Sequence, residues 1–146
     1  ERYVARKHPQ AWFKTIDKVN HSLVNQPKLL LQDMKAQITP VYEEGGHYPH
    51  HNLYWITAPT WDLQVLGGLL LSSVAQSFIE AYCVRMRGGT LRFQSQYLRK
   101  IRVPEPSSIA PELAAELAAA FERGDREAAN RASLRAYGLG TGNVAA

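Results

Sequence analysis

Several common features of proteins are scarce or missing in this sequence. It has one cysteine, Cys83, so an internal disulfide is impossible, and this cysteine usage favours the reducing cytoplasm. The apolar stretch at residues 63–79 carries no charge, but it is too short and too rich in Ser, Gln and Gly to cross a bilayer. No glycine-rich turn leads from a strand pattern into a helix pattern. We therefore expect a cytoplasmic domain with no membrane segment and no cofactor site of its own.

Positive charge is absent from the middle of the chain and concentrated on either side of it. The forty-nine residues between Lys35 and Arg85 contain no Lys or Arg. Residues 1–104 hold thirteen Lys and Arg against seven Asp and Glu, whereas residues 105–146 hold four against six. Residues 85–102, called the basic segment below, carry six cations and no acid. This segregation favours a surface that binds a polyanion. A strand edge protected by positive charge is the alternative.

Five short stretches have the composition of strands, because they are rich in β-branched and aromatic residues or alternate between apolar and polar ones. These predicted strands are residues 27–34, 38–43, 50–57, 90–93 and 98–103. Apolar residues at helical spacing predict one central helix over residues 63–82, which packs on the sheet that carries Leu30 and Tyr54. Its expected buried stripe consists of Leu66, Leu70, Val74 and Phe78. The Gly67-Gly68 pair within this helix indicates close packing.

The composition changes near residue 105. Ten of the twenty-seven residues at 110–136 are alanine, and two amphipathic helices are predicted there, separated by Gly124-Asp125. The expected fold is α+β: a small mixed sheet packed on one long central helix, followed by a C-terminal Ala-rich helical pair. We expect residues 1–104 to form the core and residues 105–146 a helical extension of the same domain. Because the first residue is Glu1 rather than Met, we expect a piece of a longer protein.

Three groups of residues suggest chemistry other than recognition. Asp33-Met34-Lys35 follows an apolar strand, as in the Asp-x-Lys half of a metal-dependent nuclease, which also needs a second acid such as Asp17 or Glu43. A histidine-rich stretch with acids beside it could hold a metal, although His50 and His51 point to opposite faces of a strand. That stretch contains His47, His50, His51, Glu43 and Glu44. Cys83 has no partner histidine, and we expect it to pack in the core.

The basic segment has the residue types that recognise DNA. Arg pairs with guanine and Gln with adenine in the major groove, while other cations hold phosphates. We expect phosphate contacts from Arg85, Arg87 and Lys100. The candidates for base contacts are Arg92, Gln94 and Gln96. A weaker candidate group consists of His50, His51 and Asn52.

The order of several segments resembles one known family. The segments are Trp-Phe-Lys-Thr-Ile-Asp at 12–17, Pro-Lys-Leu-Leu-Leu at 27–31, Tyr-Pro-His-His-Asn-Leu-Tyr-Trp-Ile at 48–56, the leucine-rich helix at 66–78, Arg-Gly-Gly at 87–89, Arg-Phe at 92–93, residues 97–104, and Tyr-Gly-Leu at 137–139. Together they resemble the TaqI-like C-terminal specificity domain of type II restriction-modification adenine-N6 DNA methyltransferases. The resemblance covers roughly residues 3–139.

The resemblance implies a DNA target-recognition domain with two partners, double-stranded DNA and an upstream catalytic domain of the same polypeptide. In that family the catalytic domain binds S-adenosylmethionine and methylates an adenine flipped out of the duplex. This chain lacks the family's Asn/Asp-Pro-Pro-Tyr/Phe motif, since it has no Pro-Pro pair. We therefore expect no catalysis from this fragment. The parent is expected to be a site-specific adenine methyltransferase, with or without restriction endonuclease activity. A nuclease built on Asp33 and Lys35, or a protein-interaction module using the Ala-rich helices, remains an alternative.

Overall fold

The computed structural model describes residues 6–7 and 20–139, and this part of the chain combines helices with two small antiparallel sheets. The α+β class is therefore confirmed. One sheet was expected, and two are present, neither of which contains a parallel pair among the described residues. Expectations for Asp17 and for the segment at 12–17 lie outside the described residues.

The first sheet has the order β3-β1-β4 and is built around β1 (Lys28–Gln32). Its neighbours are β3 (Val41–Glu43) and β4 (Leu53–Ile56), which are shorter than the predicted strands. Because side chains alternate along a strand, Leu29 and Leu31 point into the core, and both are buried. Leu30 lies on the opposite face and is half-buried. The sheet that carries Leu30 and Tyr54 packs on the central helix as predicted, through Leu29, Leu31 and Tyr54.

The second sheet consists of three strands of only two residues each. They are β2 (Met34–Lys35), β5 (Val84–Arg85) and β6 (Leu91–Arg92), in the order β2-β6-β5. Sequence reasoning predicted part of β6 and missed its partners, since two residues are too few to show a period. The predicted strand at 98–103 is absent. A short helix, α4 (Ser95–Leu98), is followed there by further turns, with Lys100 N–H donating to Tyr97 O at 2.9 Å.

The central helix is two helices that meet at an angle of 65°, α2 (Leu63–Leu71) and α3 (Ser73–Tyr82). Ser72 between them is extended, and its hydroxyl donates to Leu69 O at 2.6 Å and accepts from Ala75 N at 3.4 Å. This break shifts the phase of the buried face. Leu66 and Leu70 are buried as predicted, but beyond the break the buried residues are Ala75 and Ile79. The prediction of burial for Val74 and Phe78 was wrong, because both are partly exposed.

The C-terminal helical pair forms as predicted and packs on α2. Its helices are α5 (Pro111–Glu122) and α6 (Arg126–Ala136), and a short helix, α1 (His21–Val24), precedes the first sheet. A Cβ atom on Gly68 would lie 2.5 Å from the backbone oxygen of Leu117, and one on Gly67 would lie 2.6 Å from the Phe121 ring. The glycine pair therefore permits the close approach of α5, which confirms the packing expectation.

Arg126 and Tyr137 attach the helical pair to the rest of the chain by side-chain hydrogen bonds. The Arg126 guanidinium donates to Leu71 O at 3.0 Å and Ile38 O at 2.6 Å, and the Tyr137 hydroxyl donates to Arg102 O at 2.6 Å. Among the described residues no single helix is long and apolar enough to cross a membrane. Helices α2 and α3 have the length and composition of a membrane span only when they are counted together across their 65° bend.

Candidate nucleic-acid interface

The basic segment begins with an exposed hairpin. Strands β5 and β6 are connected by residues 86–90, where Met86 N–H donates to Thr90 O at 2.7 Å and Gly89 N–H donates to Met86 O at 3.2 Å. Gly88 and Gly89 have φ angles of +94° and +83°, which L side chains rarely adopt. A Cβ at either position would meet no atom within 4 Å, so backbone conformation, not packing, accounts for both glycines.

Strand pairing separates the hairpin side chains onto two faces. Arg92 lies directly opposite Met34 on one neighbouring strand and Val84 on the other, so these three residues share a face. Leu91 lies opposite Lys35 and Arg85 on the other face, where Leu91 is buried in the core. One face therefore carries Arg92 among apolar residues, and the other carries two cations beside the protein interior.

The backbone of Asp33 joins the hairpin to the turn at residues 50–52. Asp33 N–H donates to Asn52 O at 3.0 Å, and Asp33 O accepts from Phe93 N–H at 2.7 Å. The basic segment and the turn, which sequence reasoning singled out separately, therefore lie on either side of one residue. Most of the predicted contact residues are exposed and Gln94 is half-buried. The exposed ones are Arg85, Arg87, Arg92, Gln96, Lys100, His50, His51 and Asn52.

The side chain of Asp33 contacts the predicted base-contacting arginine. Its Oδ2 lies 3.7 Å from Arg92 Nε. Burial raises the pKa of Tyr54, and the negative charge of the nearby Asp33 carboxylate raises this pKa further. The basic segment contains no acid in sequence, but in space Asp33 supplies one. Sequence reasoning missed this role, because only the pairing of β2 with β6 brings the two residues together.

Two further contacts order the residues after β6. Lys100 Nζ lies 4.5 Å from the centre of the Tyr82 ring on α3, a cation–π distance. Gln96 Nε2 donates to Gln94 Oε1 at 3.0 Å, so the two amides are oriented together. Tyr82 had no predicted role at this surface. It holds Lys100 beside the hairpin although Lys100 is exposed.

Lys28 is a cation of the first part of the chain that does not belong to the candidate nucleic-acid interface. The side chain is fully buried, forms an ion pair with Glu43, and donates to Gln26 O at 2.9 Å. The hydrogen bond from Lys28 is the main cause that lowers the pKa of Glu43 to about 2. Burial opposes this shift, and hydrogen bonds from His47 and Gly45 N–H lower the pKa by smaller amounts. Lys28 therefore serves the fold.

Asp33 and Glu43, two of the acids considered for a nuclease, do not meet among the described residues. Glu43 pairs with Lys28 at the first residue of β1, whereas Asp33 follows its last residue. Five residues at roughly 3.3 Å each place them about 16 Å apart along the strand. His47 Nδ1 lies 3.1 Å from Glu43 Oε1, and the rings of His50 and His51 lie 3.9 Å apart. Within residues 6–7 and 20–139, no three His, Cys, Asp or Glu side chains are grouped to hold a metal ion. Cys83 is buried, and burial raises the pKa of its thiol.

A cleft of the described chain lies away from the hairpin. It has a volume of about 820 Å³ and is lined by the start of α2 and the ends of β1, β3 and β4. No Lys or Arg lines it, and its one charged residue, Asp62, accepts hydrogen bonds from Gln64 and Val65 N–H at the first turn of α2. The cleft is therefore not suited to bind a polyanion, and the exposed hairpin surface is the better candidate.

Sequence comparison shows the family of the chain. The family model of the TaqI-like C-terminal specificity domain matches residues 2–103. The chain belongs to this family. The specificity domain is 53% identical over 138 residues to the type II methyltransferase M.XhoI of Xanthomonas vasicola, and 46% identical over 138 residues to M.PaeR7I of Pseudomonas aeruginosa. Both matches cover 94% of this chain.

A third relative is also a type II methyltransferase. The specificity domain is 52% identical over 108 residues, 74% of its length, to the type II methyltransferase M.BstVI of Geobacillus stearothermophilus. These matches cover 25%, 24% and 19% of the three relatives, so the chain spans about a quarter of their length or less. The matches to the first two relatives are longer than the match to the family model, which ends at residue 103.

Proposed function

We propose that this chain is the sequence-specific DNA-recognition domain of a restriction-modification adenine-N6 DNA methyltransferase. The observation that carries the proposal is the junction at Asp33, where backbone hydrogen bonds place the hairpin beside residues 50–52. Double-stranded DNA is the partner that suits exposed arginines next to amide side chains. The membership of the chain in a specificity-domain family supports the same partner.

The side chains divide by the faces on which they lie. Arg85 lies on the face opposite Arg92, Arg87 lies at the tip of the hairpin, and Lys100 lies over the Tyr82 ring, so phosphates are the expected contacts of these three exposed cations. Arg92, Gln94 and Gln96 are the candidates for base edges, with His50, His51 and Asn52 beside them. Arg92 lies centrally on the exposed face of the second sheet, where it can reach a groove while the three cations meet the two backbones.

Methyl transfer is assigned to an upstream domain of the same polypeptide, which would bind S-adenosylmethionine. The described residues of this chain do not fit that cofactor. Strand β4 leads into α2 through residues 57–62, which contain no glycine, and Asp62 accepts the Gln64 and Val65 N–H groups at the helix start. Calorimetric titration of the isolated chain with S-adenosylmethionine should therefore show no binding. A micromolar dissociation constant would contradict this assignment.

Removal of charge in the full-length parent tests the DNA surface. The triple variant Arg85→Gln, Arg87→Gln, Lys100→Gln should bind all duplexes more weakly and lower the salt slope by about one unit per lost phosphate contact. The matched control removes three exposed cations from the helical pair, in the variant Arg123→Gln, Arg131→Gln, Arg135→Gln. Equal affinity and salt slope in both variants would overturn the proposal.

A further inference from the structure

Three large apolar side chains lie exposed on one face of the second sheet. They are Met34, Val84 and Met86, which are 54%, 51% and 38% exposed. Each comes from a strand or turn held in register by backbone hydrogen bonds, so their exposure follows from the pairing of the strands. Water-exposed methionine and valine in such a group mark a surface that contacts another molecule.

Arg92 lies in the centre of this apolar group, which we call the outer face of the second sheet. Met34 and Val84 are its direct cross-strand neighbours, and Met86 follows Val84 by two residues on the same side. Asp33 Oδ2, at 3.7 Å from Arg92 Nε, restrains the guanidinium from one side. The outer face therefore presents one restrained cation flanked by apolar side chains.

The charge around the outer face indicates what covers it. Arg92 lies on this face, Arg87 lies at the tip of the hairpin, and Lys100 lies over the Tyr82 ring just before β5. Lys35 and Arg85 lie on the same strands but on the opposite face. The nearby acid, Asp33, is engaged with Arg92. A polyanion suits this surround better than an apolar protein partner, because burying several cations against an apolar surface is costly.

We propose that Met34, Val84 and Met86 contact the 5-methyl groups of thymines next to the base that Arg92 contacts. Thymine is the standard base that presents a methyl group in the major groove, and apolar side chains recognise it there. This inference rests on the proposed function, and it adds a chemical class of target: a guanine flanked by thymine methyl groups. The outer face thus discriminates sequence by apolar contact as well as by hydrogen bonds.

Substitution of uracil for thymine tests the inference, since uracil lacks only the methyl group. The full-length wild-type parent first enriches its target from a pool of random-sequence duplexes. The enriched duplex is then synthesised with thymine or with uracil, and both dissociation constants are measured at one salt concentration. Each methyl group buried by the outer face should make the uracil duplex bind about fourfold more weakly.

Variants of the outer face separate this inference from the proposed function. Met34→Ser, Val84→Thr, Met86→Ser combined should bind both duplexes alike, and the nearly isosteric Val84→Thr alone should lose part of the preference. Val41→Thr, at a residue 56% exposed on the first sheet, is the control and should keep the preference for the thymine duplex.

Failure of the wild type to enrich any sequence would overturn the proposed function. Enrichment with equal binding of thymine and uracil duplexes would overturn the inference alone. A combined variant that binds both duplexes more weakly but still prefers the thymine duplex would also overturn the inference, because the outer face would then contact the catalytic domain.

Discussion

Asp33 connects the two groups of predicted DNA-contacting residues, and its side chain acts on one of them. The carboxylate is half-buried and lies 3.7 Å from an arginine that is itself half-exposed. Such a pair contributes little to folding, since exposed ion pairs are worth about 0.2–1 kcal/mol. The ion pair instead orients the Arg92 side chain, which would otherwise have many rotamers available to it.

Asp33→Asn should therefore reduce sequence discrimination more than overall DNA affinity. Asparagine keeps the shape of the side chain but removes the ion pair, so we expect the ratio of specific to non-specific affinity to fall by about two- to fivefold. Non-specific affinity should rise, because one negative charge leaves the proposed DNA-binding surface. The measurement is the dissociation constant of the full-length parent for its target and for an unrelated duplex. The control variant is Glu44→Gln, which removes one exposed acid elsewhere on the chain. The positioning role would be wrong if both variants changed the two affinities in the same proportion.

Glu43 gives the fold a dependence on pH at the other end of β1. Its pKa is lowered from 4.5 to about 2, mainly by the hydrogen bond from the buried Lys28. A carboxylate whose folded pKa lies below its unfolded value stabilises the folded state at any pH above the unfolded value, and this stabilisation is lost as pH falls. Thermal unfolding should therefore show stability decreasing between pH 4.5 and pH 2.

Substitution identifies Glu43 as the source of that decrease. Glu43→Gln should be less stable near neutral pH, because Lys28 is left buried without its counter-charge. The difference from the wild type should then narrow as pH falls toward 2. Glu44→Gln, at an exposed neighbouring acid, should follow the wild-type profile. A Glu43→Gln variant whose deficit in melting temperature is the same at every pH would show that this ion pair does not titrate as described.

At the scale of elements, the break at Ser72 decides which residues of α3 are buried. Ile79 is fully buried and Phe78 is partly exposed, the reverse of what one continuous helix would give. Ile79→Ala should cost about 2–5 kcal/mol in the free energy of unfolding, the range for a buried aliphatic residue. Phe78→Ala should cost less, although it removes the larger side chain. Denaturant unfolding of both variants gives the order, and a larger loss for Phe78→Ala would mean that α2 and α3 form one straight helix.

The elements that could be predicted are those whose pattern is long enough to show a period. Helix α5 shows Leu113 and Leu117 at a spacing of four, and β1 has an apolar run, so both were found. The second sheet was missed because its strands are two residues long and are defined by their partners. The break at Ser72 was missed because serine is compatible with a helix interior, whereas here its hydroxyl caps the next helix. The residues of the candidate site could be selected from the sequence by their types. Their assembly around Asp33 could not be predicted, because it depends on the pairing of the strands.

At the scale of the whole molecule, the helical pair shares a core with the residues before it. Val65 and Leu69 of α2 pack against Leu113 and Leu117 of α5. The family model ends at residue 103, so it stops before this half of the core. We therefore expect residues 104–139 to be needed for folding.

Truncation measures this dependence directly. A chain that ends at residue 104 should lack a cooperative thermal transition, because the face of α2 that packs on α5 becomes exposed to water. A chain that ends at residue 139 should unfold like the complete one, and Arg126→Ala, which removes bonds to Leu71 O and Ile38 O, should be intermediate. Circular dichroism during heating supplies the comparison. A cooperative transition in the chain ending at residue 104 would show that the helical pair is a separate unit.

The hydrogen bonds that join Asp33 to Asn52 and Phe93 are made by main-chain atoms, and this bears on how target preference can evolve. A main-chain bond survives a change of side chain, so Arg92, Gln94 or His51 can be replaced while the hairpin and the turn keep their places. The open space around Gly88 and Gly89 likewise accommodates different neighbours at the tip. If these side chains contact DNA as proposed, single substitutions should give new specificities, and hairpins exchanged between relatives at residues 84–92 should retain their arrangement on this scaffold.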